Sequence, residues 1–317
     1  MIGMLGESQW ITFAGIMFAF AMTWLMTKLG MNKLPKDQGR EFAHDGAKSA
    51  GKPRGAGFIF VMVFIISALL FIPYKVEYII YLILVGAAML TGFLDDCAKA
   101  PWGEYKKGFL DLIIAIMLAV TYLNFNSSTI RIECLRLEVA LHPVVFGILA
   151  VILIWASINV TNCSDGVDGL SGSVSVITLL TLYVILHRKD APREMTFMIA
   201  MFVACIVAYL WFNATPSLLM MGDAGSRAMG LFIAIAVLKT GSPVLYLLVA
   251  AVLILDGGLG LIKVSLLRFL KISIMKNVQT PLHDHVRKKW GWSNTQNVYR
   301  FVIIKLVLGM IAIYLCR

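Results

Sequence analysis

Apolar runs about 20 residues long constrain this chain more than any other feature, because a helix needs about that length to cross the hydrocarbon core of a bilayer. Ten runs meet or approach it: 9–29, 55–74, 76–94, 108–124, 143–160, 169–187, 196–212, 227–240, 243–267 and 299–316. In lipid, backbone polar groups are satisfied only within helices or closed barrels. Apolar runs of this length predict membrane-spanning helices. The expected fold is therefore an all-α integral membrane protein of about ten spans.

Composition agrees. The chain is 59% hydrophobic and 15% charged, whereas a soluble domain is nearer half apolar and a quarter charged. An ordinary soluble enzyme and a disordered chain are both excluded. The five cysteines are scattered and form no CxxC pair, so neither a zinc knuckle nor a disulfide framework is expected. No fixed-period repeat or low-complexity linker divides residues 1–317, which reads as one membrane domain. The first run lacks a preceding basic region and a small-residue cleavage site, and is read as a span and not a cleaved leader.

The net charge of +10 fits basic loops lying against an anionic membrane face better than a nucleic-acid partner. The larger share of Lys and Arg follows the odd-numbered runs, among them Lys33, Lys36, Lys48, Lys52, Arg54, Lys99, Lys107 and Arg287. The excess of basic residues marks the cytoplasmic side, which would place both termini outside the cell. The alternation in Ile130-Arg131-Ile132-Glu133 predicts a small external hairpin within 125–142.

Acidic residues near a bilayer are candidates for function, and here they cluster on the side marked cytoplasmic. Asp95 and Asp96 end the third run; an adjacent carboxylate pair can bind a hard cation, supply a base, or simply cap a helix. After the fifth run, Asn159, Asn162, Asp165 and Asp168 recur at three-residue spacing, with Gly166 and Gly169 between them. That spacing can gather them on one side of a helix end around a polar ligand or metal. Asp223, between Gly222 and Gly225, can cap the following helix or ligate Mg²⁺. His283-Asp284-His285 precedes Arg287-Lys288-Lys289; it suits an anion better than zinc, which needs three or four ligands, and the three basic residues suit a lipid-facing patch. Asp256, inside the ninth run, reads as a partner for a neighbouring helix, with a proton relay as the alternative.

Together these segments resemble the polyprenyl-phosphate N-acetylhexosamine-1-phosphate transferase family. The resemblance rests on Asp95-Asp96-x-x-Lys99, then Asn159-x-x-Asn162-x-x-Asp165-x-x-Asp168-Gly169, then Asn213 ahead of Met221-Gly222-Asp223, then Pro281-x-His283-x-His285 and Gly291-Trp292-Ser293. The last stretch, followed by Val298, Arg300 and Phe301, is most similar to the muramoyl-pentapeptide branch. The resemblance implies transfer of a phospho-sugar from UDP-MurNAc-pentapeptide to undecaprenyl phosphate at the cytoplasmic face of the bacterial plasma membrane, with Mg²⁺ required and a homodimer expected. It further implies Asp223 as the Mg²⁺ ligand and Asp95, with Asp96 beside it, as the carboxylate that activates the lipid phosphate or attacks the sugar nucleotide. Lys99, Lys107 and Lys48 would face phosphates, and Asn162 and Asp165 would line the nucleotide-sugar cleft. Gly166, Val167, Asp168, Asn213 and Met220 would form the uridine pocket, and His283 and His285 the diphosphate side.

Three features depart from the family pattern. Asp284 replaces a middle histidine, Lys52-Pro53-Arg54-Gly55-Ala56-Gly57 replaces a Thr-Pro-Thr-Met-Gly-Gly stretch, and Met220 replaces an aromatic. Two other functions compete. Transfer of GlcNAc-1-phosphate from UDP-GlcNAc differs only in donor, whereas a cation-coupled transporter would place its acids near the midplane, where only Asp256 lies.

Overall fold

In the computed structural model, residues 7–39 and 49–316 are described. Within them each apolar run becomes a helix, α1 (Glu7–Gly30), α2 (Gly57–Phe71), α3 (Val76–Asp96), α4 (Glu104–Phe125), α5 (Pro143–Cys163), α6 (Leu170–Arg188), α7 (Arg193–Asn213) and α8 (Gly222–Lys239) following in order. A bent pair, α9 (Pro243–Val249) and α10 (Ala251–Phe269), comes next, then the short α11 (Leu282–Trp290) and finally α12 (Asn294–Leu315). The predicted hairpin is present: β1 (Thr129–Ile132) pairs antiparallel with β2 (Leu137–Ala140), Thr129 opposite Ala140.

The protein is an all-α membrane protein, but ten full spans are not reached. Among the described residues seven helices are long and apolar enough to cross a bilayer, or eight if the bent pair is one span. The second run gives only the 15-residue α2. The eighth gives α8, which carries Asp223, Arg227 and Lys239 and is buried from Gly222 to Leu238; its surroundings are protein, so charge costs less there than against lipid. The ninth run was expected to be one span and is instead bent by 66° around Ala250. No Pro or Gly stands at the break. Val249's carbonyl, which would accept from the next turn of an unbroken helix, accepts from Lys305 and from Thr178 Oγ1 (3.2 Å). Side chains inserted into the helical ladder are a recognised cause of a kink.

The centre of the fold is α8, against which α3, α5 and α2 pack. Lipid tails are as apolar as the side chains, so close backbone approach is what holds such helices together. A Cβ at Gly57 would stand 1.9 Å from Gly225 N, and one at Gly92 2.4 Å from Asp223 O. Glycine at both positions lets α2 and α3 close directly onto the first turn of α8. The loop before α2 is tied there too: Asp37 N donates to Lys52 O, Arg54 N to Pro35 O, Met220 N to Pro53 O and Ala56 N to Met220 O.

Candidate active site

The first turn of α8 is where the four polar motifs meet. The helix begins at Gly222, five residues ahead of the run read from the sequence, and Asp223 lies inside it, not at its cap. The cap comes from another helix. Asp96 at the end of α3 accepts from Asp223 N and Ala224 N, both at 3.1 Å, satisfying two of the amide donors that every helix start leaves open. Gly222 sits at φ +69°, and a Cβ there would lie 2.2 Å from Asp96 Oδ2. Backbone and space both require glycine at 222.

Asp223 is thereby released to face outward from the turn. Its Oδ2 accepts from Lys107 Nζ at 3.0 Å and its Oδ1 from Arg54 Nη2 at 3.4 Å. The same lysine pairs with Asp95 Oδ2, while Asp95 Oδ1 accepts from Trp102 N at 2.6 Å. Arg54 reaches Asp96 through Nε (2.7 Å) and Asp37 through Nη1 (3.1 Å). Two cations thus serve four carboxylates. Burial alone would lower Arg54's pKa, but Asp96 and Asp223 outweigh it and hold the guanidinium charged well above its ordinary value. Burial would likewise raise Asp37, yet the Ser49 hydroxyl and Arg54 keep its carboxyl below the usual range.

The Asn-Asp segment closes a second side. Asn162 Nδ2 donates to Ser226 Oγ at 2.9 Å, linking α5 to α8. Asp165 and Asp168 are half-buried and Gly166 is exposed, while Val167 is buried and belongs to the core. Asn213 accepts from Gly169 N and donates to Leu219 O, both at 2.8 Å, so it fixes the two loops to each other. Asp168 Oδ2 accepts from Ser217 N at 3.3 Å. Met220 is half-buried, its backbone tied to Pro53 and Ala56.

The third side is His283. It is 2% exposed, and both its backbone N–H (2.8 Å to Oδ1) and its Nδ1 (2.9 Å to Oδ2) meet Asp256. Burial would lower its pKa, but Asp256, then Asp284 and Asp165, raise it above the ordinary histidine value. The far ring nitrogen faces the Asn-Asp loop: a Cβ at Gly166 would stand 2.2 Å from Nε2. Asp256 is therefore neither isolated nor paired to a spanning helix; its partner is the short α11.

Three predicted site residues are not brought in. Lys99 is exposed beyond the end of α3, outside this network. His285 turns away, its Nδ1 accepting from Gln279 N at 3.1 Å and its ring meeting Trp290. Lys48 lies outside the described residues. Four residues given no role from sequence belong to the site, namely Asp37, Arg54, Asp111 and Arg227. Asp111 in α4 and Arg227 in α8 form a buried pair at 2.7 Å, and Asn159 Nδ2 donates to the same Asp111 oxygen at 3.3 Å. A lone acid in an apolar run and a lone arginine in another were the only signals.

Asp95 and Asp223 both reach the Lys107 ammonium, so the two carboxylates can share one compact cation. Mg²⁺ is ordinarily held by one or two carboxylates with water and substrate phosphates completing its octahedron, and this donor pair fits that pattern. No group of three or more His, Cys, Asp or Glu residues able to hold a metal occurs among the described residues, so the pair does not resemble a closed zinc cage.

An apolar groove of about 680 Å³ runs between α5 and the bent α9–α10. Leu149, Ile152, Val244, Leu247 and Ile262 line it, and all five are 46–66% exposed on the outer face of the helices.

A model of glycosyl transferase family 4 matches residues 78–241. The phospho-N-acetylmuramoyl-pentapeptide-transferase of Treponema pallidum is 39% identical over 300 residues, covering 88% of this chain and 83% of the relative. Proteins of the same name from Borrelia garinii (30% over 343 residues, 96% and 95% covered) and Dictyoglomus turgidum (28% over 298 residues, 92% and 93% covered) are also similar.

Proposed function

The chain belongs to glycosyl transferase family 4, and on that premise we propose that it transfers phospho-MurNAc-pentapeptide from UDP-MurNAc-pentapeptide to undecaprenyl phosphate, yielding lipid I and UMP. It is a membrane phospho-sugar transferase of peptidoglycan synthesis. The observation that carries this reading is the 39% identity to the treponemal transferase across 88% of the chain. A polar carboxylate cluster and a separate apolar groove in one membrane protein support it, because the reaction joins a water-soluble donor to a lipid acceptor.

In this reading the groove takes the polyprenyl chain and the cluster takes the phosphates. The ten helical segments cross or enter the plasma membrane with both termini outside, so the cluster opens to the cytoplasm. Asp223, with Asp95 beside it, would hold Mg²⁺, which would supply charge neutralisation when bound. Lys107 and Arg54 exchange carboxylate partners for phosphate oxygens, and His283 presents Nε2 to the diphosphate over Gly166. Asn162, Asp165, Asp168, Asn213 and Met220 border the nucleoside pocket. Phosphoryl transfer of this kind relies on positioning and electrostatics more than on covalent help from protein. An oxygen of the lipid phosphate attacks the β-phosphorus directly; the new P–O bond forms as the bond to the bridging oxygen breaks, and that oxygen leaves with UMP. Asp96 holds the helix start and does not reach the substrate.

The transporter alternative loses its main support, since Asp256, the acid on which it rested, is bound to His283 within the same site. The test is UMP release by purified protein in detergent with undecaprenyl phosphate and Mg²⁺. Release from UDP-MurNAc-pentapeptide, and its loss on chelation, is expected. Release from UDP-GlcNAc alone would move the protein to the GlcNAc-1-phosphate branch. A radiolabelled protein adduct formed from the donor without lipid would overturn direct attack.

A further inference from the structure

Lys305 is the one basic side chain in α12 that is fully buried, with 0% exposure, about half-way along a helix of 22 residues. Among the described residues its only polar partner is the Val249 carbonyl; no carboxylate pairs with it. An ammonium held by a single carbonyl in a water-poor interior is a poor contribution to stability, since desolvation of a charge needs more compensation than that. Such a residue is better explained by what its contact positions.

Val249 ends α9, at the 66° break. A cation at the carbonyl end of a helix complements the exposed carbonyls there, and Lys305 together with Thr178 takes the carbonyl that would otherwise help continue the helix. Immediately after the break, α10 winds into one wider turn, Ile254–Gly258, which carries Asp256. Asp256 in turn holds His283 by backbone and ring. The same helix α12 touches this unit a second time: Asn297 Nδ2 donates to His283 O at 3.0 Å. Asn297 and Lys305 are eight residues apart, about 12 Å along the helix. Helix α12 therefore grips the bent segment at the break and the loop helix at its histidine, one contact on each side of the Asp256–His283 pair.

We infer that Lys305 is a positioning residue, which fixes the break at Val249 so that Asp256 presents His283 to the site at the correct height. The inference rests on the reaction proposed above only for its kinetic readout.

The experiment compares wild type with Lys305→Met, His283→Gln and the double variant. Four quantities are measured: melting temperature, kcat and donor KM for UMP release from UDP-MurNAc-pentapeptide, and amide exchange across residues 246–258. Lys305→Met is expected to melt at the wild-type temperature or higher, to exchange faster at 246–258, and to lose about tenfold in kcat with KM for the donor unchanged, the scale of a small misplacement. In the His283→Gln background the same change should cost nothing further, because residues acting through one another are not additive. Thr178→Val, which removes the other donor to Val249 O and leaves Lys305 in place, should show the same effects at smaller size. An unchanged kcat, additivity with His283→Gln, or a Lys305→Met protein that melts early or fails to fold would each overturn the inference. Faster exchange at 246–258 in Lys305→Met, with a wild type that releases no UMP, would leave the pinning intact and sink the reaction instead.

Discussion

Helices α3 and α8 run antiparallel side by side, and both are charged at both ends, with opposite outcomes. At one end Glu77 of α3 meets Lys239 of α8 at 2.9 Å. The same glutamate oxygen accepts from Tyr81 OH and Asn126 Nδ2, both at 2.7 Å, and Asn126 Oδ1 accepts from Lys239. Charges match and the network is closed. At the other end Asp95 and Asp96 of α3 meet Asp223 of α8, so acid faces acid. Only Arg54 and Lys107, brought in from outside the pair, make the arrangement tolerable. One helix pair therefore carries a clasp at one end and a site at the other. The difference teaches where function lies: a structure built for stability alone has no reason to juxtapose like charges.

Breaking the site end should cost activity first. Asp223→Ala is expected to reduce UMP release by about 10³-fold or more, the scale of removing a group that stabilises transition-state charge. Folded protein should still be recovered on size-exclusion chromatography, because the helix cap belongs to Asp96. Arg54→Ala should reduce kcat by about 10–100-fold and lower the melting temperature as well, since it strips Asp37 and Asp96 of their shared cation and leaves buried acceptors unpaired. At the clasp the order reverses. Glu77→Gln should leave kcat within about twofold and cost roughly 2 kcal/mol of stability in thermal or denaturant unfolding, between the worth of an exposed pair and the cost of breaking a fully buried one. An equal loss of kcat at both ends would erase the distinction.

The smallest effect should be one of pH. Because the His283 pKa is raised in the folded protein, its pairing with Asp256 contributes stability fully below the unfolded value of about 6.5. That contribution is lost as pH rises through the higher folded value. The melting temperature of the wild type should therefore decline slightly from near pH 6.5 upward relative to His283→Gln, and parallel curves for the two proteins would refute the pairing as drawn.

How much of this was legible in the sequence depended on whether the signal was local. Apolar runs are local, and a helix or bent helix pair stands at each of the ten. The Asp95-Asp96, Asn-Asp and Asp223 motifs were legible because several polar groups crowd short segments at helix ends. The break at Ala250 was not, because its causes, Lys305 and Thr178, are distant in the chain and the break itself holds neither Pro nor Gly. The start of α8 was misjudged for the same reason: Met220-Met221-Gly222-Asp223 contains no evident cap other than Asp223 itself, and the true cap is supplied by Asp96. Asp111, Arg227, Asp37 and Arg54 were single charges, and a single charge shows nothing about its partner until the chain is folded. Asp256 was correctly expected to pair, with the partner on an element too short to anticipate.

The charges of α8 have one further property, visible when the chain is considered in the order of its synthesis. Asp223 pairs with Arg54 and Lys107, Arg227 with Asp111, and Lys239 with Glu77. Every one of these counter-charges precedes α8 in the chain, as does the Asp96 carboxylate that finishes its first turn. A segment with three ionised groups is expensive to commit to lipid by itself. By the time α8 leaves the ribosome, the whole complement of its partners has already been made, so the helix that enters last among them enters a berth and not a bilayer.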